Sequence, residues 1–159
     1  MGILRIFGCL FFLTLFSCST EEEVWQTKFE ISDEKWLYDQ ILKAEWTPGD
    51  DIPESKLLID VTHSPDFQYQ NLYMVGHSEI DQKRYSNQDT FSVQLATSNS
   101  GRWLGTTISE NQIVKTDTIQ ILPAIKKGQT LRLSIQQYSR DSILTNIHKI
   151  EFRIIPAGS

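Results

Sequence analysis

The strongest constraint on the fold is a two-residue alternation of apolar and polar side chains that recurs from Lys56 to the end of the chain. Residues 91–95, 131–135 and 150–154 show it most clearly, with Phe, Val, Leu or Ile at every second position. Successive side chains of a strand point to opposite faces, so this period predicts strands with one buried face. A sustained helical period is almost absent.

Turn-forming residues separate the alternating runs. They include Ser64-Pro65-Asp66, Asn99-Ser100-Gly101, Lys127-Gly128-Gln129 and Thr145-Asn146. Short alternating strands joined by such turns predict an all-β domain built as a single antiparallel β-sandwich. We count about eight strands, which favours a jelly-roll-like arrangement.

Two segments are less regular than the rest. Residues 71–77 are apolar on both faces, which predicts a strand at the centre of a sheet. Residues 32–46 carry both a near-helical spacing and an alternation through Leu42, Ala44 and Trp46. For that segment we favour a short turn at residues 32–35 and a strand through Trp46, and a helix stays open as the alternative.

The amino terminus has the layout of a bacterial lipoprotein signal. Arg5 precedes a short apolar run that ends at Leu15-Phe16-Ser17-Cys18. The run is about half the roughly 20 residues that a spanning helix needs. We therefore predict a signal peptide at residues 1–17, whose removal leaves Cys18 as the first residue and the site of lipidation. The alternative is an ordinary cleaved signal with a chance cysteine.

Charge and cysteine usage narrow the class of protein. The 159-residue chain has a formal net charge of −5, and removal of residues 1–17 takes only Arg5 and makes it −6. No basic patch indicates nucleic-acid binding. Cys9 lies in the signal, so with Cys18 acylated the domain at residues 24–159 has no thiol left for a disulfide.

Residues 18–23 are interpreted as a short tether. The run Glu21-Glu22-Glu23 follows the cysteine closely. In some bacteria acidic residues at this place mark export to the cell surface, and a plain solvated spacer is the alternative. We therefore expect a lipid-anchored outer-membrane protein, on either the periplasmic or the cell-surface face.

Residues for catalysis, metals or cofactors do not form any recognisable motif. His63, His77 and His148 lie in or beside different predicted strands, where surface or hydrogen-bonding roles are the expectation. Asp50-Asp51 lacks the regular oxygen spacing of a calcium site. An enzyme is therefore possible but unsupported by these residues, and we expect no metal site. Trp25, Trp36, Trp46 and Trp103 do not share one strand face, which favours packing roles over a sugar-binding platform.

Several short segments together resemble a known family. They are Tyr69-Gln70-Asn71-Leu72-Tyr73, Gly101-Arg102-Trp103-Leu104-Gly105, Gln137-Tyr138-Ser139-Arg140-Asp141, Leu144-Thr145-Asn146-Ile147 and the terminal strand at residues 150–155. In these segments the chain resembles the GldH family of gliding-motility lipoproteins. It departs from the family pattern at Thr62, Ser139, Thr106 and Asn146, where Arg, Met, Gly and Gly are usual. Asn tolerates a left-handed backbone better than most residues, so the last change is mild.

The resemblance implies an accessory role in the gliding machinery linked to type IX secretion, with other envelope proteins as partners. It implies no catalytic activity and no cofactor, and we expect no small-molecule substrate. Trp103 and Arg140 are the candidate interaction residues. Trp103, between two glycines, is either a buried lid on the sandwich or an exposed docking residue. Arg140 either is a solvated surface residue or pairs with Asp141 or a partner. The alternative function is a glycan-binding or structural outer-membrane lipoprotein without a motility role.

Overall fold

The computed structural model describes residues 23–85 and 90–158, which contain twelve strands and one 3-10 turn at Ser32–Glu34. The strands are β1 (Trp25–Glu30), β2 (Lys35–Leu37), β3 (Leu42–Trp46), β4 (Ser55–His63), β5 (Asn71–Ile80), β6 (Lys83–Arg84), β7 (Thr90–Gln94), β8 (Thr106–Ser109), β9 (Gln112–Leu122), β10 (Leu131–Gln137), β11 (Ile143–Thr145) and β12 (Ile147–Pro156). Within the described ranges, no helix is long and apolar enough to cross a membrane.

Eight of these strands form two four-stranded antiparallel arrays. The first has the order β1-β12-β4-β9 and the second the order β3-β10-β5-β7. When these eight strands are renumbered 1 to 8 along the chain, the two arrays have the orders 1-8-3-6 and 2-7-4-5, which is the jelly-roll arrangement. The predicted all-β sandwich is therefore confirmed. The remaining strands are short: β8 extends the first array, β6 pairs with the end of β5, and β2 pairs with β11.

The alternating apolar residues meet between the two arrays. Ile59 on β4 pairs with Phe152 on β12, and both side chains are buried. Met74 on β5 and Ile135 on β10 belong to the same buried cluster from the other side. Each such side chain contributes about 1.5–3 kcal/mol on burial, so this layer supplies most of the driving force for folding.

Residues 32–46 form neither a helix nor one continuous strand. The 3-10 turn leads into β2, which pairs with β11. Residues 38–41 then lie outside any strand, and β3 begins at Leu42. Trp36 explains the break, because its side chain is fully buried and its indole Nε1 donates a hydrogen bond to the carbonyl of Gln40 at 3.1 Å. The turn and the strand ending at Trp46 were predicted, and the interruption between them was not.

The two ends of the sandwich differ, and the difference positions the functional site. At the near end, where the described chain begins, Trp25 pairs with Ile154, and its ring stacks on Trp46 with centroids 5.5 Å apart. The far end holds the last residue of β4, His63, and the last residue of β10, Gln137. The nine residues of β4 separate the two ends by about 27 Å at the usual rise per residue.

Candidate functional site: a tyrosine groove at the far end

A wide groove opens at the far end of the second array. Four half-exposed tyrosines line it together with Arg140 and Asp141, and we call this set the tyrosine groove; the tyrosines are Tyr38, Tyr69, Tyr73 and Tyr138. Its volume is about 780 Å³, and the buried side chains of Phe67, Leu72 and Leu144 form its base. That volume lies in the range of protein ligand sites.

Two of the tyrosines lie side by side, one on β5 and the other just beyond the end of β10. The backbone N–H of Tyr138, just beyond β10, donates to the carbonyl of Tyr73 on β5 at 2.8 Å. Their side chains are 49% and 53% exposed. The alternation that buries Leu72 and Met74 places Tyr73 on the outer face. The prediction that residues 71–77 form a central strand is confirmed, because β5 has a neighbouring strand on each side. The outer face of β5 is nevertheless open to solvent at Tyr73.

The loop after β10 is held by a fully buried amide side chain. Gln137 Oε1 accepts a hydrogen bond from the backbone N–H of Ser139 at 2.9 Å, and its Nε2 donates to the carbonyl of Asp141 at 3.1 Å. The Ser139 hydroxyl accepts a further bond from the N–H of Asp141 at 3.0 Å. These bonds fix the backbone on both sides of Arg140.

The two charged residues of the groove have different surroundings. The hydroxyl of Tyr69 donates a hydrogen bond to the Asp141 carboxylate. This bond, followed by burial and the negative charge of Asp141, raises the pKa of Tyr69 above its ordinary value. Arg140 is exposed and makes no ion pair or side-chain hydrogen bond with the described part of the chain. Its guanidinium thus keeps its five donors for a ligand.

Trp103 does not line the groove, although a row of rings connects it to the groove. Its indole centroid lies 4.6 Å from the ring of His63. His63 contacts Phe67 at 5.8 Å, and Phe67 contacts Tyr69 at 5.7 Å. Trp103 is half-buried against this row, so the structure does not bring the two candidate interaction residues, Trp103 and Arg140, into one site.

Glycines hold the turn that carries Trp103. Gly101 has a φ of 66° and Gly105 a φ of 93°, both in the left-handed region. A Cβ at Gly105 would lie 2.2 Å from the backbone oxygen of Val114 on β9. The backbone approach at this point therefore requires glycine.

His63 is buried and hydrogen-bonded, so of the two expected roles, surface or hydrogen-bonding, it has the second. Its Nδ1 lies 2.8 Å from the Ser64 carbonyl, which assigns the proton to that nitrogen, and its Nε2 has no partner in the described part of the chain. Burial lowers the pKa of His63, which the bond to Ser64 opposes and the charge of nearby His148 reinforces. The ring therefore acts as a neutral packing group.

The other metal candidates also serve local contacts. His77 lies beside Ser134 on the outer face of the second array, and Asp51 accepts hydrogen bonds from Lys126 Nζ and the backbone of Lys127, both at 2.9 Å. In residues 23–85 and 90–158, no three His, Cys, Asp or Glu side chains are grouped to hold a metal. Cys18, the predicted lipidation site, lies outside the described residues.

The tryptophans lie in packing environments. Trp36 is fully buried, Trp25 stacks on Trp46 at the near end, and Trp103 covers His63. The exposed aromatic surface instead consists of tyrosines, which the sequence interpretation did not select. A usable signal was present, since two of the family-like segments, residues 69–73 and 137–141, supply most of the groove.

An ion cluster on the outer face of the first array ties the start of β1 to the middle of β4. Arg153 on β12 binds Asp60 on β4 with two bonds, from Nε at 2.6 Å and Nη2 at 3.1 Å. Its Nη1 binds Glu23 Oε1 at 2.8 Å. The Asp60 bonds and, less strongly, the Glu23 bond raise the pKa of Arg153, so the guanidinium stays charged.

Comparison with known proteins places the chain in a family. The comparisons with curated proteins and with solved structures gave no match. The family model described as GldH lipoprotein matches residues 23–154, more than four-fifths of the chain and nearly all of the sandwich. The chain belongs to the GldH lipoprotein family.

Proposed function

We propose that this protein is a lipid-anchored, non-enzymatic accessory component of the gliding motility machinery linked to type IX secretion, held at the outer membrane. The observation that carries the proposal is the family match across the sandwich. Membership in a lipoprotein family of gliding motility supports an envelope protein anchored by lipid. The finer role, the absence of catalysis and the outer membrane as its location are our inference.

Cys18 is the proposed attachment point. Only four residues lie between it and Glu23, so the five Cα–Cα steps span at most about 18 Å. Because Glu23 is bound to Arg153, an acyl group on Cys18 would keep the near end of the sandwich close to the membrane. Two or more acyl chains make such attachment slow to reverse, since each buried CH₂ contributes about 0.8 kcal/mol.

A role in binding other proteins is supported by the tyrosine groove. Tyrosine and arginine are enriched at protein interfaces, where large amphipathic side chains give contact area at low entropic cost. The groove combines four half-exposed tyrosines with an arginine, on a fixed loop, that has no side-chain partner among the described residues. These exposed side chains are not part of the buried core, and contact with a partner protein would account for their presence on the surface.

The second candidate is a glycan-binding surface lipoprotein. The observation in its favour is the same set of tyrosine faces, because aromatic rings also stack on sugars. The tryptophans favour it less, since all four lie in packing environments. A glycan array probed with the purified protein separates the two functions.

The proposed anchor is tested by metabolic labelling with an alkyne fatty acid. Wild type and Cys9→Ala should incorporate the label, and Cys18→Ala should not. Protease treatment of intact cells then reports which face of the outer membrane carries the domain. A label retained by Cys18→Ala would exclude this cysteine as the attachment site.

The motility role is tested by deleting the gene in a gliding strain. Colony spreading and secretion should be lost, and wild type should restore both. Restoration by Cys18→Ala would show that the anchor is dispensable. Normal spreading and secretion in the deletion strain would favour a structural lipoprotein without a motility role.

A further inference from the structure

We propose that the tyrosine groove binds an extended, acidic segment of a partner protein, with a carboxylate of that segment on Arg140. This inference rests on the proposed function, which it deepens by naming the chemistry of the partner. It depends on three features of the groove: its charge, its fixed loop and its distance from the start of β1.

Charge complementarity selects an acidic ligand. Arg140 is the only cationic side chain that lines the described groove, and it has no anionic partner among the described residues. The one carboxylate of the groove, Asp141, already accepts the Tyr69 hydroxyl. A guanidinium binds a carboxylate through two parallel hydrogen bonds, which adds direction as well as attraction.

The loop that carries Arg140 is organised before any ligand binds. The buried Gln137 amide bonds to the backbone of both Ser139 and Asp141. The ligand therefore does not bear the entropic cost of ordering this backbone, which improves affinity for a given contact area. Tyr73 and Tyr138 lie beside the loop and provide an apolar wall for residues next to the carboxylate.

The position of the groove argues against two other occupants, lipid headgroups and residues 19–22 of the same chain. It lies at the far end, about 20 Å or more along β10 from the near end, where Glu23 is held by Arg153. With the chain anchored at Cys18, the groove would lie at the end of the sandwich farther from the attachment point. The four residues 19–22 lead to Glu23 and span at most about 14 Å, which is less than the distance to the groove. We therefore take a segment of another protein as the occupant.

Selection from a displayed library of random short peptides tests the inference. The bait is the full-length lipoprotein in nanodiscs, as wild type, Arg140→Ala, Arg140→Lys, Arg140→Glu and Tyr138→Ala. Wild type should enrich peptides with Asp or Glu beside apolar residues. Arg140→Glu should lose this preference and enrich Lys or Arg instead. One enriched peptide, measured by fluorescence anisotropy, should bind about tenfold more weakly to Arg140→Ala and Tyr138→Ala, and Arg140→Lys should retain part of the affinity.

Lys28→Glu is the matched control, because it reverses an exposed charge on β1, far from the groove. Its peptide preference should equal that of wild type. The proposal is overturned if wild type enriches no acidic peptides, if Arg140→Glu selects the same peptides, or if the protein binds an array of glycans and no peptides.

Complementation of the deletion strain separates this inference from the proposed function. If Arg140→Glu shows the wild-type peptide preference while the deletion still abolishes spreading, the groove assignment fails and the motility role stands. If acidic peptides bind through Arg140 while the deletion strain spreads normally, the groove assignment stands and the motility role fails.

Discussion

Arg153 on β12 binds Asp60 on β4 through two hydrogen bonds, of 2.6 and 3.1 Å, on the outer face of the first array. The two side chains are only 21% and 10% exposed. If one of them is removed, water can therefore hydrate the remaining charged group only in part. The third nitrogen of the same guanidinium binds Glu23. One side chain thus joins three segments of the chain.

We predict that Arg153→Ala destabilises the domain by about 2 kcal/mol. The Asp60 carboxylate would stay buried, with Thr116 as its remaining side-chain partner in the described part of the chain. Urea unfolding followed by tryptophan fluorescence measures the loss. Arg132→Ala is the matched control, since Arg132 also binds a carboxylate on a neighbouring strand, Glu45, but both side chains are at least 40% exposed. It should cost less than about 1 kcal/mol. Equal losses for the two variants would contradict the role given to burial.

We predict that the free energy of unfolding falls as the pH drops below the unfolded-state pKa of His63, about 6.5. Burial lowers the pKa of His63 in the folded state, so between the folded and unfolded values the unfolded chain binds more protons. Stability therefore is full above this window and is lost as the pH falls through it. The charge of His148, whose Nδ1 lies 3.3 Å from Glu34 Oε1, also makes protonation of the nearby His63 less favourable.

Urea unfolding across this pH range is the measurement for His63, with His63→Leu as the test and His77→Gln as the control. His77 is exposed on the outer face of the second array. The slope of unfolding free energy against pH should flatten in His63→Leu and persist in His77→Gln. The same slope in His63→Leu as in wild type would refute the assignment to His63.

We predict that Gly105→Ala destabilises the domain by about 3 kcal/mol, because the new Cβ would meet the Val114 backbone oxygen and the residue has a positive φ. Gly128→Ala is the control for backbone strain alone, since its φ is 82° and nothing lies within 4 Å of the added Cβ. It should cost about 1 kcal/mol. Thermal unfolding by circular dichroism compares them. If both lose the same stability, the close approach to β9 has no energetic effect.

We predict that Asn146→Gly is tolerated within about 1 kcal/mol and that Asn146→Val costs about 2 kcal/mol. Asn146 has a φ of 67°, a conformation that glycine adopts freely and a β-branched residue resists. The glycine variant loses only the side-chain bond to the Asp66 carbonyl at 3.1 Å. Thr145→Val, at the exposed end of β11, shows whether valine alone affects this region. Chemical denaturation gives all three values, and a tolerated Asn146→Val would contradict the backbone explanation.

Local rules were sufficient for much of the fold. The alternation through residues 131–135 and 150–154 correctly assigned the buried side chains of β10 and β12. The tolerance of Asn146 for a left-handed backbone was also foreseen. Local rules did not predict the burial of His63 or the open outer face at Tyr73, because both depend on what packs against a strand face. Trp103 and Phe67 cover His63, whereas nothing in the described chain covers Tyr73.

The sequence by itself determined the class of this protein: side chains of period two can bury a common face only in a sheet, and close turns make that sheet antiparallel. The tertiary structure alone decided the candidate site. The four tyrosines come from three segments, around Tyr38, residues 69–73 and Tyr138. They meet because β10 pairs with β5 while Asp141 turns back towards Tyr69. The two-residue period specifies on which side of a strand a residue lies. Pairing between distant strands specifies its neighbours, and that pairing depends on the packing of the whole core.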